Sequence, residues 1–171
     1  NRITVDGVGI PRNGPVRMWR LNKPVGLLTT HKDPEGRPTL FEQLPKIMPR
    51  VISIGRLDIN SEGLLLLTND GEVARKLELP ATGWTRRYRV RVHGRVNEDM
   101  LAALERGIEI EGIRYAGIRA ALDRIQGSNA WLTMALVEGK NREIRKVMEH
   151  LGLAVNRLIR IAYGPFQLGA L

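Results

Sequence analysis

Val51-Ile52-Ser53-Ile54, then Gly55-Arg56-Leu57-Asp58-Ile59-Asn60-Ser61-Glu62, then Gly63-Leu64-Leu65-Leu66-Leu67-Thr68, closed by Asn69-Asp70-Gly71, is the stretch on which the fold turns. Its two apolar runs, each bounded by turn residues, read as short buried strands. The eight mostly polar residues between them form a loop at a sheet end, where functional side chains are commonly presented. Beyond the Asn-Asp-Gly turn, Val73, Ala74 and Leu77 share one helical face that stops at Pro80, so a helix over 72–79 follows.

Working upstream, Leu40 to Leu44 suggests a short helix stopped by Pro45. Before it, Asp33-Pro34-Glu35-Gly36 marks an exposed loop carrying Lys32 and Arg37. Lys23-Pro24-Val25-Gly26 is a turn between two predicted strands, one around Met18 to Leu21 and one over Leu27 to Thr30. Asn1 to Pro15 is rich in Gly and Pro and reads as a linker or a single loose strand. The start at Asn1 instead of Met suggests a piece of something longer, so the sequence leaves open whether a targeting signal precedes it.

Downstream, Thr85 to Val96 alternates cleanly. Tyr88, Val90 and Val92 fall on one face of a strand, and Arg87, Arg89, Arg91, His93 and Arg95 on the other. Asn97 caps a helix that ends at Gly107, with Met100, Leu101 and Leu104 facing inward. Short strands follow at 108–110, 113–122 and 131–137. A last helix opens at Asn141, with Ile144, Val147, Met148 and Leu151 on its apolar stripe, and Gly152 ends it. Turning about 100° per residue from Ile144, Arg142 and Lys146 face away and Arg145 sits at the stripe's edge. A strand over 157–161 and the turn at Gly164-Pro165 close the chain. Interspersed helices and hairpins argue for an α+β fold with a mixed or antiparallel sheet.

The 171 residues carry 27 Lys+Arg against 18 Asp+Glu, for a charge of +9, so an anionic partner is expected. Arginine supplies 21 of those cations, which favours nucleic acid over a membrane surface. At 43% apolar the chain buries an ordinary core, and no apolar run is long enough to span a bilayer. With no cysteine, disulfides, thiolate metal sites and a Cys nucleophile are excluded. His31, His93 and His150 lie too far apart for a ligand spacing, so no metal is expected. Walker, Rossmann and Gly-x-Ser-x-Gly patterns are absent, which removes the usual support for a nucleotide cofactor or a serine hydrolase.

Chemistry therefore falls to carboxylate, hydroxyl or arginine. Asp58 has Arg56 two residues away in a Gly-bounded loop; it serves either as a turn cap or as a nucleophile or base kept ionised by an arginine. Arg145 either snorkels from the helix edge or has a reason to be oriented. Tyr88 either packs in the core or stacks on a base. The Arg87, Arg89, Arg91 stripe has no acid between Arg86 and Arg95 and should repel itself unless phosphate is present. Glu62 is the nearest second carboxylate, as a metal-dependent nuclease or hydrolase would need.

The string from Gly55 to Gly71 resembles the signature of the RsuA/RluB/RluE/RluF family of pseudouridine synthases. The resemblance continues through Lys23-Pro24-Val25-Gly26, Arg87-Tyr88-Arg89-Val90, Glu138 to Arg145 and Leu158 to Phe166, and the closing segments look most like the RluB branch, which acts on large-subunit ribosomal RNA. It implies a catalytic domain over 16–171, built of two α+β halves (roughly 16–84 and 85–171) that share a sheet with a central basic cleft. Residues 1–15 resemble the tail of an upstream S4-type RNA-binding module. Asp58 would be the catalytic aspartate, Arg145 its partner, Tyr88 a residue against the target base and Leu158 an apolar surface beneath it. Arg56, Lys23, Arg87, Arg89, Arg91 and Arg142 are the further candidates for binding substrate. The implied reaction isomerises uridine in ribosomal RNA by base flipping, without metal or cofactor, in a monomeric cytoplasmic protein. The alternatives are a small-subunit or transfer RNA target and a non-catalytic RNA-binding assembly module.

Overall fold

The computed structural model describes residues 3–5, 8–10, 15–31, 33–79, 82–140 and 142–171. Within residues 1–15, expected as a linker or a single loose strand, two short strands pair antiparallel, β1 (Ile3–Val5) with β2 (Val8–Ile10), and neither joins the main sheet among the described residues. Next come β3 (Met18–Lys23), a 3₁₀ turn (Leu40–Gln43), β4 (Ile52–Ile54), β5 (Glu62–Thr68) and α1 (Gly71–Glu78). The second half holds β6 (Arg86–His93), α2 (Glu98–Ala103), β7 (Ile108–Ile110), β8 (Ile113–Tyr115), β9 (Arg119–Gln126) and β10 (Asn129–Leu136). It ends with α3 (Glu143–His150), β11 (Ala154–Tyr163) and β12 (Phe166–Gln167). One mixed sheet runs β3-β5-β11-β6-β10-β9, with β4 beside β5 and β12 beside β11. The strand expected over 27–30 is reduced to a single bridge, Leu28 to Thr39, because Gly26 turns the chain toward the Asp58 loop and donates its N–H to Ile59 O at 2.7 Å.

The first half meets the second at the parallel pair β5–β11, with Ile159 opposite Glu62 and Arg160 opposite Gly63. Contact here is close enough that a Cβ on Gly63 would fall 2.2 Å from the Arg160 carbonyl oxygen, and Gly63 adopts φ +106°. Arg160 seals the seam by donating Nε to Leu64 O at 2.9 Å. β5 is covered on both sides: Leu65 and Leu67 pack with Leu40, Val51 and Leu57, while Leu64 and Leu66 pack with Ile54, Ala74 and Tyr163. That explains an unbroken run of four leucines where a half-exposed strand would alternate. Each buried leucine contributes roughly 1.5–3 kcal/mol.

β11 breaks register twice against β6, between Val155 and Arg157 and between Arg160 and Ala162. A bulge residue shifts the side-chain alternation by one. Consequently Leu158 opposes Val90, Arg160 opposes Tyr88 and Tyr163 opposes Arg86, all on one face. Helices α2 and α3 cover part of that face through Leu101, Leu104, Ile144, Val147 and Met148, packed on Val90, Val92 and Leu132. No helix among the described residues is long and apolar enough to cross a membrane.

Gly63→Ala adds both a clash and a strained φ, so it should cost about 3 kcal/mol or more. Urea denaturation monitored by Trp fluorescence measures it; a loss below about 0.5 kcal/mol, the range of an ordinary surface change, would show that the seam tolerates a side chain.

Candidate active site

The loop between β4 and β5 is held by its carbonyls. Lys23, at the end of β3 and wholly buried, donates Nζ to Ser61 O (2.7 Å), Pro24 O (2.9 Å) and Asp58 O (3.1 Å). Thr29 Oγ1 reaches Leu57 O at 3.4 Å, Gly26 N reaches Ile59 O at 2.7 Å, and Arg145 Nη2 reaches Asn60 O at 3.0 Å. Every carbonyl from Leu57 to Ser61 thus accepts from a donor elsewhere in the protein. At the loop's entry, Gly55 N is tied to Glu78 Oε1 of α1 at 2.8 Å. Burial lowers Lys23 to about 8, against the pull of Asp58 and Glu62. Its complete burial places Lys23 under the loop as a positioning group, a different role from the substrate contact expected of it.

The Asp58 side chain stands above this nest, about a third exposed. Arg142 Nη1 donates to its Oδ2 at 3.3 Å, and Arg145 Nε lies 3.9 Å from the same oxygen. Arg145 is largely buried, and its Nε has no hydrogen-bond partner among the described residues. Burial, then the nearby Arg142, pulls Arg145 below its ordinary guanidinium value while Asp58 opposes them. Helical periodicity points Arg142 away, yet it makes the closer contact. The reason is local: Arg142 lies outside the helix at φ +53°, so the projection around α3 starts only at Glu143. Asn141, from which the helix was expected to open, lies outside the described residues.

Asp58, Arg56, Tyr88, Leu158 and Arg142 all line one open cleft of about 710 Å³. Tyr88 is half-buried and Leu158 is 6% exposed. Arg86, Lys140, Glu143, Arg160 and Tyr163 share its walls and carried no expectation. Arg86 and Arg160 both place their guanidinium 5.1 Å from the Tyr163 ring, one above a strand partner and one within the same strand. The alternation that singled out Tyr88 also puts Arg86 on its face. Nothing local marks Arg160, whose inward direction depends on the β11 bulges.

Three expected substrate contacts lie elsewhere. Arg87, Arg89 and Arg91 point to the opposite sheet face from Tyr88, as their alternation requires, and none lines the cleft. Nor does that stripe lack acids: Asp123 of β9 approaches Arg89 at 3.4 Å. Glu62 is engaged in a two-point ion pair with Arg157, at 3.0 and 3.2 Å, on the strand after the loop. Lys32 lies outside the described residues, and Arg37 reaches the cleft rim while bonded to Asp33.

A second pair of carboxyls forms part of the wall. Glu143 is 3% exposed; its Oε1 accepts from Lys140 N at 3.1 Å, and its Oε2 meets no N–H or O–H donor among the described residues. Burial, then the facing Glu138, raises Glu143 to about 7. Glu138, despite burial, is held below its ordinary value by the Ala116 N–H at 2.8 Å and by Lys140 at 3.2 Å. A proton on Glu143 shared with the Glu138 carboxylate satisfies the otherwise empty Oε2.

The RNA pseudouridylate synthase family profile matches residues 17–150, which takes in the Asp58 loop, Tyr88 and both arginines at the aspartate. The chain belongs to that family, whose enzymes isomerise uridine to pseudouridine in RNA. A Rickettsia felis protein described as an uncharacterized RNA pseudouridine synthase is 51% identical over 168 residues, 98% of this chain and 72% of its own length. Ribosomal large subunit pseudouridine synthase B of Yersinia pestis is 44% identical over 153 residues, and the chain spans 48% of that enzyme. Among solved structures, a crystal structure of a pseudouridylate synthase superposes with a TM-score of 0.79 at 25% identity, covering 94% of this chain and 68% of that one.

Lys23→Met strips the donors from three loop carbonyls and should cost about 1–3 kcal/mol in stability, with a larger fall in kcat than in KM because Asp58 loses its support. Equal loss in kcat and 1/KM would mean that Lys23 touches substrate. For Glu143 the sign follows from a folded value above the ordinary 4.5: its stabilising contribution is complete below that value and is lost as pH rises through about 7. Urea titrations from about pH 4 to about pH 8 should therefore show the wild type losing stability relative to Glu143→Gln, and parallel curves would show that folding does not raise Glu143 above its ordinary value.

Proposed function

We propose that this protein isomerises a uridine of large-subunit ribosomal RNA to pseudouridine, with Asp58 as the catalytic carboxylate. The observation that carries the reading is the meeting of Asp58, Tyr88 and Leu158 in one cleft, with two arginines on a single oxygen of the aspartate. Similarity to the ribosomal large subunit enzymes supports the choice of RNA.

A stacked uridine cannot reach a carboxylate on a cleft floor, so the nucleotide is extruded at a cost of a few kcal/mol. Tyr88 and Leu158 offset part of that cost by presenting ring and methyl surface to the flipped base. The reaction breaks the N1–C1′ bond, turns the uracil and joins C5 to C1′; the C5 proton is released and N1 gains one, so no electron acceptor is consumed. Arg142 donates to Oδ2 and Arg145 lies beside the same oxygen, which leaves Oδ1 with no bond among the described residues and available to the nucleotide. Arg142 and Arg145 place two positive charges beside the carboxylate that enters the chemistry. Arg56, Arg142 and Lys140 supply positive charge along the cleft for flanking phosphates.

Asp58→Asn should lower tritium release from C5-labelled large-subunit ribosomal RNA by at least about 10⁴-fold while RNA binding persists; normal turnover would remove Asp58 from the chemistry. Arg145→Met should reduce kcat far more than affinity, whereas Arg142→Met, changing a half-exposed ion pair, should cost less in kcat and more in KM. Mapping pseudouridines in large-subunit, small-subunit and transfer RNA from cells lacking the gene identifies the substrate. Loss of a site in either of the latter two alone would overturn the large-subunit assignment.

A further inference from the structure

The cleft uses one face of the sheet. On the other face the registers line up six arginines. Residues directly opposite each other across strands share a face, so Arg87 and Arg119 fall in one row across Ala135, Arg89 in the next opposite Thr133, and Arg157, Arg91 and Arg124 in a third around Trp131. Rows two residues apart and four adjacent strands make a patch of roughly 14 Å in each direction.

Three features set this patch apart from an ordinary solvated strand face. First, its charge is largely uncompensated. Asp123 answers Arg89 and Glu62 answers Arg157, but Arg87, Arg119 and Arg124 are exposed and make no hydrogen bond or ion pair among the described residues. Second, part of it is ordered in advance: Arg89 and Arg91 hold their guanidinium groups 5.1 and 5.7 Å from the Trp131 ring, and Arg91 Nε is fixed by Asn156 Oδ1 at 2.7 Å. Stacking on the indole removes rotamer freedom that an anion would otherwise have to remove on binding. Third, no helix among the described residues covers this face: small residues such as Ala121 and Ala135 lie between the arginines, and α2 and α3 pack on the cleft side instead.

Like charges side by side on a sheet are destabilising, and phosphate relieves them. Six arginines without a lysine suit phosphodiester oxygens, which the planar guanidinium binds at two points. We propose that this face is a second RNA contact, holding the sugar-phosphate backbone of a segment of the substrate that lies outside the nucleotides in the cleft. The proposal rests on the reading that the enzyme acts on a large structured RNA. The nucleotides seated in the cleft are separated from this face by the sheet itself, so only flanking or tertiary RNA reaches it. The face adds affinity for the folded substrate without reading sequence.

Arg87→Gln/Arg119→Gln/Arg124→Gln changes three exposed side chains with no internal partners, and filter binding across a salt series is the readout. For large-subunit ribosomal RNA we expect the triple variant to lose about tenfold or more in affinity, with the slope of log K against log[salt] reduced by about two to three. Binding of a short RNA fragment carrying the mapped target uridine, and kcat on it, should stay unchanged. Unchanged affinity for the long RNA overturns the proposal and leaves the face to a protein partner. An equal loss on the short fragment overturns it as well, since the charges would then be acting at the cleft. Because the readout is binding, failure to form pseudouridine in ribosomal RNA would refute the proposed function without bearing on this contact.

Discussion

One buried ammonium organises the active site. Lys23 enters from β3 with none of its surface exposed and spends its three protons on carbonyls of the turn that follows it and of the Asp58 loop. A polar loop at a sheet end normally leaves its backbone to water, and its conformation with it. Here the carbonyls of Leu57 through Ser61 all point at protein donors, so the aspartate is carried on a backbone with little freedom to move. Such a nest is costly, because a lone ammonium is expensive to bury. Its lowered pKa is the measure of that cost, and the carbonyl dipoles with Asp58 and Glu62 nearby offset it.

The same region requires the two halves to meet at Gly63. β11 belongs to the second half yet lies against β5 of the first, and only a residue without a Cβ permits the approach. From this seam β11 runs on beside β6 with two bulges, and they decide what the cleft contains. Without them Arg160 and Tyr163 could not share a face, since residues three apart on a regular strand point to opposite sides. With them, Leu158, Arg160 and Tyr163 all join Tyr88 and Arg86 in the wall. The loop supplies the carboxylate, β6 the aromatic ring and β11 the apolar floor, while the arginines come from the start of α3.

Much of this was legible in the chain. Period-two alternation in β6 correctly separated Tyr88 from Arg87, Arg89 and Arg91. Apolar runs with Gly and Asn-Asp-Gly punctuation located β4, β5 and α1, and Asn97 caps α2 as its position suggests, accepting from Asp99 N at 2.8 Å. The errors share a cause. Placing the basic stripe beside the catalytic cleft and Lys23 on the substrate used charge alone, and charge does not say on which side of a sheet, or how deep, a side chain lies. Arg142 was turned the wrong way because a left-handed residue interrupts the helical projection one position before the helix begins.

By itself the sequence determined most of the elements, the identity of the loop that carries Asp58, and the family, because these depend on local backbone preference and on residue order. Tertiary structure alone decided that Lys23 is an internal scaffold, that Arg142 as well as Arg145 reaches Asp58, that Glu138 and Glu143 face each other, and that Arg119, Arg124 and Arg157 join the arginine stripe of β6. Apart from the Glu138–Glu143 pair, which the short loop between β10 and α3 brings together, each of these is a relation between segments far apart in the chain that depends on how the sheet is assembled. A shift of one residue exchanges the two faces of a strand, so the functional side chains of β6 and β11 acquire their roles only when the sheet is assembled.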